Sequence, residues 1–260
     1  MSLLLLILLC AALGGIASAA FAVVFLWVPE ARAARILPHF VSFATGALLG
    51  AALLGLLPEA VEGAGYAGAH RIGVALLLGL GFFFIVEKLV LWWHSHEAHG
   101  PAAGPDSHGH LHASGVLVLV GDSIHNALDG ILIAAAFLKD PTLGFVTTFA
   151  VAAHEVPHRV GDFALLVHAG LSRERALVLN LATGLASLAG AALTFFALRE
   201  ATGALPYALA FAAAGFLYIA LAGLVPSLQR SIGVGRGLAQ LALLVLGVAA
   251  VGFAEHLAHR

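Results

Sequence analysis

Long apolar stretches alternate along the chain with short breaks that carry glycine, proline and most of the charge. A membrane-spanning helix needs about 20 mostly apolar residues, and the breaks divide the chain into segments of that kind. In chain order, the eight segments cover residues 3–28, 36–57, 71–93, 114–138, 142–168, 174–198, 204–227 and 235–256. Segment 1 contains a signal-peptide-like Ala-Ser-Ala at residues 17–19, but it lacks the basic residues that begin a signal peptide and stays apolar through Val28. The pattern therefore predicts an all-α, polytopic membrane protein with eight transmembrane helices.

Composition supports this fold class and narrows the chemistry. Hydrophobic residues make up 61% of the chain and charged residues 10%, with a mean hydropathy of +1.02, which excludes an ordinary soluble domain. No basic run is present that could bind nucleic acid. The single cysteine, Cys10, excludes a disulfide within the chain and a thiolate zinc site. Fourteen histidines beside one cysteine and one methionine favour Zn²⁺, Fe²⁺ or Mn²⁺ over Cu⁺.

The distribution of lysine and arginine predicts the orientation in the membrane. Seven of these residues fall in the connections on one side and four in those on the other. Since cytoplasmic loops carry the excess of positive charge, we expect both termini outside the cytoplasm. The protein is accordingly predicted to lie in the cell (inner) membrane, in contact with the lipid bilayer.

Segments 2 and 7 resemble each other without a gap. Residues 43–58 and 211–226 are identical at eight of sixteen positions, and the same offset of 168 pairs Glu87 with Glu255. Ala- and Leu-rich helices also produce chance identities, which is the alternative interpretation. A true repeat would relate segments 1–3 to segments 6–8 in a 3+2+3 arrangement, inverted because five helices separate the two starts. Inverted repeats are typical of transporters.

This interpretation divides the chain into four parts. We expect a first three-helix repeat over 1–93, a His-rich cytoplasmic loop over 94–113, a helix hairpin over 114–168 and a second three-helix repeat over 169–260. The loop holds six of the fourteen histidines among Gly and Pro residues. Such a composition cannot build a core, and it favours weak, reversible metal binding, with a solvated spacer as the alternative.

Polar side chains form one stripe on each helix of the hairpin. On segment 4 they are Asp122, His125, Asn126 and Asp129; on segment 5 they are His154, Glu155, His158 and Asp162. Residues three and four apart share a helix face, and both stripes lie near the middle of their segments. A carboxylate at that depth costs about 2.5–3.5 kcal/mol, whereas an interhelical hydrogen bond returns only about 0.6 kcal/mol. A structural hydrogen bond could explain Asp122 or Asp162 alone, but the whole set indicates a divalent-cation site.

At these residues the chain resembles the ZIP (Zrt/Irt-like) family of divalent metal transporters. Residues 125–130 match that family's H-N-x-x-D-G motif, and residues 154–162 match its H-E-x-P-H-E-x-G-D motif except at Arg159. The resemblance implies eight helices in a 3+2+3 plan and two adjacent metal positions. It assigns His125, Asp129 and His158 to the first position and Asn126 and Glu155 to the second, with His154 close by. Asn180, on segment 6, is a further candidate.

The departure at Arg159 bears on the number of ions. It replaces a glutamate of the family motif, and a fixed positive charge would weaken the binding of a second cation by Coulomb repulsion. We therefore expect the site to work mainly with one ion.

Two other functions fit parts of the sequence. An intramembrane zinc metalloprotease could use His154-Glu155-x-x-His158, but its third-ligand motif would precede this one, and Pro157 lies between the histidines. A membrane metal sensor that does not transport ions is the second alternative. The transport interpretation predicts no enzyme activity and no organic cofactor, with the metal ion as substrate; a homodimer is left open.

Overall fold

The structure, a computed structural model, describes residues 2–18, 20, 28–97, 113–229 and 233–258. Every regular element in these ranges is helical. The α-helices are α1 (Leu3–Ala12), α2 (Glu30–Gly50), α3 (Leu57–Ala64), α4 (Ala69–Glu97), α5 (Ala113–Lys139), α6 (Pro141–His168), α7 (Arg173–Thr183), α8 (Leu185–Leu198), α9 (Leu205–Tyr218), α10 (Val225–Gln229) and α11 (Val234–Ala258).

Among the described residues, six helical stretches are long and apolar enough to cross a membrane. They are Arg35–Ala64, Tyr66–Leu89, Val118–Lys139, Arg173–Leu198, Thr202–Gln229 and Gly235–His256. Their outer surfaces carry large apolar side chains such as Leu77, Leu193 and Phe253, which are exposed and suited to lipid contact. The prediction of an all-α integral membrane protein is confirmed at this level.

The remaining two predicted segments have a different character. In segment 1, the apolar helix covers Leu3–Ile16, and residues 19 and 21–27 lie outside the described ranges. Segment 5 corresponds to α6, which is 28 residues long but interrupted by the charged residues of the polar stripe. The count of eight spans therefore stays a prediction.

The expected loop begins later than the sequence pattern indicated. Helix α4 continues to Glu97 and α5 begins at Ala113, so residues 94–97 are helical. The rest of the His-rich loop, residues 98–112, lies outside the described residues.

A tight turn makes α5 and α6 an antiparallel hairpin. The Asp140 side chain caps α6 by accepting hydrogen bonds from the backbone N–H groups of Thr142 and Leu143, at 2.8 and 3.2 Å. Pro141 occupies the first helical turn, where its missing N–H would have no helical partner. These local signals fix the register in which the two polar stripes face each other.

Small residues bring α5 into close contact with α8. A methyl group on Gly130 would lie 1.9 Å from the Ser187 carbonyl oxygen, and one on Gly190 would lie 2.0 Å from the Ala127 carbonyl oxygen. Only glycine fits at such crossings, as is common where membrane helices pack backbone to backbone. The crossing also brings the neighbouring α7 to the polar stripes.

Two π-helical turns interrupt the second and seventh predicted segments. They cover Ala51–Leu56 and Ile219–Leu224, and 168 residues separate their corresponding positions. Contacts recur at the same offset. A methyl group on Gly79 would meet Ala214 at 2.6 Å, and one on Gly247 would meet the Phe43 carbonyl oxygen at 2.3 Å. The two regions thus share a departure from α-helical geometry and a mode of helix contact at equivalent positions.

Candidate metal centre

Four side chains of the polar stripes converge between α5 and α6. His125 and Asp129 come from α5 and His154 and Glu155 from α6, and one ligand atom of each lies within 4.8 Å of the others. His125 Nε2 lies 3.2 Å from His154 Nε2 and 3.2 Å from Glu155 Oε1. His154 Nε2 lies 3.4 Å from Asp129 Oδ2. We call this set the four-residue cluster.

The cluster is buried and only partly satisfied by hydrogen bonds. Asp129 is 2% exposed and Glu155 is fully buried. Within the described part of the chain, neither oxygen of Asp129 makes a hydrogen bond, and Oε1 of Glu155 makes none of good geometry although His125 Nε2 lies 3.2 Å away. Buried carboxylate oxygens are almost always paired or bound to a metal, so these three oxygens mark a position suited to a cation.

His154 is oriented with one ring nitrogen toward the cluster. Its Nδ1 lies 3.1 Å from the Ala150 carbonyl oxygen, and because that oxygen can only accept, Nδ1 carries the proton. Nε2 is then left with a lone pair directed at Asp129 and His125. A histidine that ligates a metal is commonly held in this way through its other nitrogen.

His158 lies beside the cluster rather than within it. Its Nδ1 is 2.7 Å from Asp162 Oδ2 and 3.9 Å from Asp122 Oδ1. These three residues form a second group with ligand atoms within 4.8 Å of one another. The His158 ring stacks on that of His125 with 4.6 Å between the ring centroids, so the two groups adjoin.

Arg159 occupies the space between α5, α6 and α7. Its side chain is fully buried, and it donates to Glu155 Oε2 at 2.8 Å, to Asp122 Oδ2 at 2.7 Å and to Asn126 Oδ1. From α7, the Asn180 carbonyl oxygen accepts at 2.9 Å. Arg159 therefore ties both polar stripes to a third helix.

The predicted ligands fall into two groups. Four of them form the cluster, whereas Asn126 faces Arg159 and His158 faces Asp162. Asn180 also contacts Arg159. Thr183, whose hydroxyl lies 2.6 Å from Arg159 Nη1, was missed in the sequence, although its position three residues after Asn180 in an apolar helix could have indicated it. The assignment of metal ligands itself stays a prediction.

A cavity of about 450 Å³ reaches the cluster from one side. His125 and Asp129 lie at its inner end, and Val118 and Leu165 line it toward the start of α5 and the end of α6. On the opposite side of the cluster, toward the α5–α6 turn, the interior is apolar and closed by buried residues such as Phe137 and Leu143. The cavity thus extends from the cluster toward the start of α5 and the end of α6.

The fold and the site together define a helical integral membrane protein with a buried cluster of imidazoles and carboxylates, accessible from one face. Comparison with known proteins gives the family. The model of the ZIP zinc transporter family matches residues 1–116 and 108–255. The chain therefore belongs to the ZIP zinc transporter family, and the resemblance found in its motifs is confirmed.

The similar proteins include animal zinc transporters. Zinc transporter ZIP13 of Pongo abelii is 35% identical over 226 residues, which cover 82% of this chain and 65% of that protein. Human zinc transporter ZIP13 is 33% identical, with 84% and 70% covered. Zinc transporter SLC39A7 of Mus musculus is 31% identical, with 93% and 68% covered. The chain thus spans about two thirds of the length of these relatives.

Proposed function

We propose that this protein transports divalent transition-metal ions across the membrane, with Zn²⁺ as the main substrate and Fe²⁺, Mn²⁺ or Cd²⁺ as further candidates. The observation that supports it best is the cluster of His125, Asp129, His154 and Glu155, in which three buried carboxylate oxygens make no well-formed hydrogen bond. The similar proteins named zinc transporters support the choice of ion.

The cluster offers the chemistry that such an ion requires. His125 and His154 provide neutral imidazole nitrogens, and Asp129 and Glu155 provide negative charge. Nitrogen and oxygen ligands bind Zn²⁺ at about 2.0–2.2 Å, so the ion can exchange its water for these groups halfway across the membrane. His158, stacked on His125 beside the cavity, is placed to join the ligands as the ion arrives or leaves.

The complete architecture that we propose has eight spans in a 3+2+3 plan with inverted repeats. The two π-helical turns, 168 residues apart, support it. The glycine contacts support it further, because the third helix of each unit (α4 or α11) contacts the second helix of the other unit (α9 or α2). A pseudo-twofold axis in the membrane plane would relate such reciprocal contacts.

The repeats differ in one respect that suggests alternating access. At the first π-helical turn, a methyl group on Gly55 would lie 2.6 Å from Glu255 Oε1. At the second, Gly223 has open space, and it lines the cavity together with Glu87. The first π-helical turn is therefore in close contact with the facing helix, whereas the second leaves space at the equivalent position. We infer that exchanging these two arrangements opens the cluster to the other face.

The direction of transport follows from the orientation predicted by charge. With both termini outside, the C-terminal end of α4 and the N-terminal end of α5 lie on the cytoplasmic side. The ion then leaves toward the His-rich loop. Cysteine labelling tests this orientation in a Cys10→Ala background, since Cys10 is the only cysteine. A membrane-impermeant thiol reagent added from the cytoplasmic side should label Leu165→Cys, in the cavity, and not Leu143→Cys, in the closed region. Labelling of Leu165→Cys only from the outside would reverse the orientation.

Uptake into proteoliposomes tests the function itself. Vesicles that contain the purified protein and a zinc-sensitive dye should accumulate Zn²⁺ faster than empty vesicles, under an imposed voltage or pH gradient. His154→Ala should remove this uptake, whereas His256→Ala, which changes an exposed histidine of α11, should retain it. Zinc binding without accumulation under either gradient would favour a non-transporting sensor.

The protease alternative receives no support from the site. Glu155 would have to act as a general base, but its Oε2 accepts a hydrogen bond from Arg159 at 2.8 Å. A carboxylate held by a guanidinium is a poor proton acceptor. The family comparison also favours transport.

A further inference from the structure

Arg159 is the largest fully buried side chain of the described residues. A lone guanidinium in the interior of a membrane protein is expensive and marks a functional position when its partners are specific. Here the partners belong to the candidate metal centre itself: Asp122, Asn126 and Glu155.

The contacts of Arg159 use oxygen atoms that a second metal ion would need. The family resemblance assigns Asn126 and Glu155 to a second metal position beside the first. In the structure, Asn126 Oδ1 and Glu155 Oε2 both accept hydrogen bonds from the guanidinium. Only Glu155 Oε1 remains directed at the four-residue cluster, where it lies 3.2 Å from His125 Nε2.

The charge balance of the site also favours a single divalent ion over two. Asp122, Asp129 and Glu155 are the buried carboxylates at the centre, and together they carry three negative charges. Asp162 is only partly buried and lies 2.7 Å from His158 Nδ1, so it is outside this sum. One guanidinium reduces the sum to two, which a single divalent ion neutralises. A second divalent ion would leave two positive charges in a region with little water, where uncompensated charge is strongly unfavourable.

We propose that Arg159 acts as a resident cation in the second metal position, so that the centre binds one divalent ion, at the four-residue cluster. This inference rests on the proposed function. Arg159 thereby determines how many ions the centre holds, in addition to linking α5, α6 and α7.

Metal counting in matched variants tests the inference. Replacing the six histidines of the loop by serine in every protein removes their contribution to the count. After loading with Zn²⁺ and gel filtration in detergent, elemental analysis should give one ion per chain for the parent and for Arg159→Lys, which keeps the positive charge. Arg159→Glu changes the carboxylate sum to four and should bind two ions. A purely structural arginine would not raise the count when replaced.

X-ray absorption at the zinc edge gives a second readout, which tests the inference in the parent protein even without the variant. Paired metal ions lie about 3.5–4 Å apart, so a zinc–zinc vector at that distance should be absent from the parent and present in Arg159→Glu.

The outcomes separate this inference from the proposed function. Two ions in the parent, or one ion in a well-folded Arg159→Glu, would overturn the inference and leave transport intact. No ion in the parent would instead contradict the proposed function. If Arg159→Glu does not fold, the metal count and absorption spectrum of the parent still decide.

Discussion

Two aspartates on the same helix should respond in opposite ways to the same substitution. Asp129 has no hydrogen-bond donor for either carboxylate oxygen within the described part of the chain. Asp122 accepts from Arg159 at 2.7 Å and also from Asn126 at 2.8 Å. Replacing each by asparagine keeps the shape of the side chain and removes its charge. Metal-free Asp129→Asn should therefore be more stable than the parent, and Asp122→Asn less stable.

The magnitudes follow from these contacts. A buried acceptor without a partner costs about 1–3 kcal/mol, which Asp129→Asn should recover in the absence of metal. Removing one partner of a buried ion pair costs about 3–5 kcal/mol, and this is the loss expected for Asp122→Asn, because Arg159 would keep its charge. In a chain of this size, each kcal/mol corresponds to a shift of about 2–4 °C in the midpoint of thermal unfolding.

Thermal unfolding in detergent, with and without a chelator, measures both effects. Zinc at 100 times its dissociation constant should stabilise the parent by about 2.7 kcal/mol and stabilise Asp129→Asn much less. The gain in metal-free stability and the loss of zinc binding should thus appear in one variant. An Asp129→Asn protein that unfolds at or below the temperature of the chelated parent would refute the reasoning.

Three further predictions concern helix contacts and pH. Gly130→Ala should destabilise the protein by about 1–3 kcal/mol or more through overpacking, because the added methyl group would lie 1.9 Å from a backbone oxygen. Gly73→Ala is the control and should not, because its methyl group would enter open space. Thermal unfolding measures the stability of both variants. Gly55→Ala should slow uptake into vesicles, since its methyl group would meet Glu255 at 2.6 Å. Gly223→Ala should slow it as well, because the exchange of arrangements brings Gly223 into the equivalent contact, whereas Gly73→Ala, with open space, should not. Uptake should fall as the external pH decreases toward about 6, because protons compete with the metal ion for the histidine nitrogens; full uptake at pH 5 would contradict this.

Much of the fold could be predicted because the membrane imposes simple rules on the sequence. Apolar length located six helical stretches that could cross a membrane, and the short connection after Lys139 predicted the hairpin. The ends of elements were less certain, since a helix can continue into polar sequence, as α4 does up to Glu97. The π-helical turns could not be predicted, because the residues of Ala51–Leu56 and Ile219–Leu224 differ little in type from their α-helical neighbours.

The site could be predicted as far as helix periodicity reaches. Spacing alone placed His125 and Asp129 on one stripe and His154 and Glu155 on another, and the structure brings these four together. Spacing does not determine side-chain direction. His158 faces Asp162 because of a contact within α6.

Thr183 illustrates a second limit, because its contact with Arg159 depends on how α7 approaches α6. That approach is set in part by the close α5–α8 crossing at Gly130. The spacing of Thr183 three residues after Asn180 could indicate a polar face of α7, but it does not identify Arg159 as the partner.

The central claim is that a divalent ion binds among His125, Asp129, His154 and Glu155. Anomalous diffraction at the zinc edge, from crystals of the zinc-loaded protein, tests it most directly. We expect one peak among these residues with ligand distances of about 2.0–2.2 Å, and no peak there in Asp129→Asn. A peak only elsewhere in the protein, or an undiminished peak in Asp129→Asn, would contradict the account.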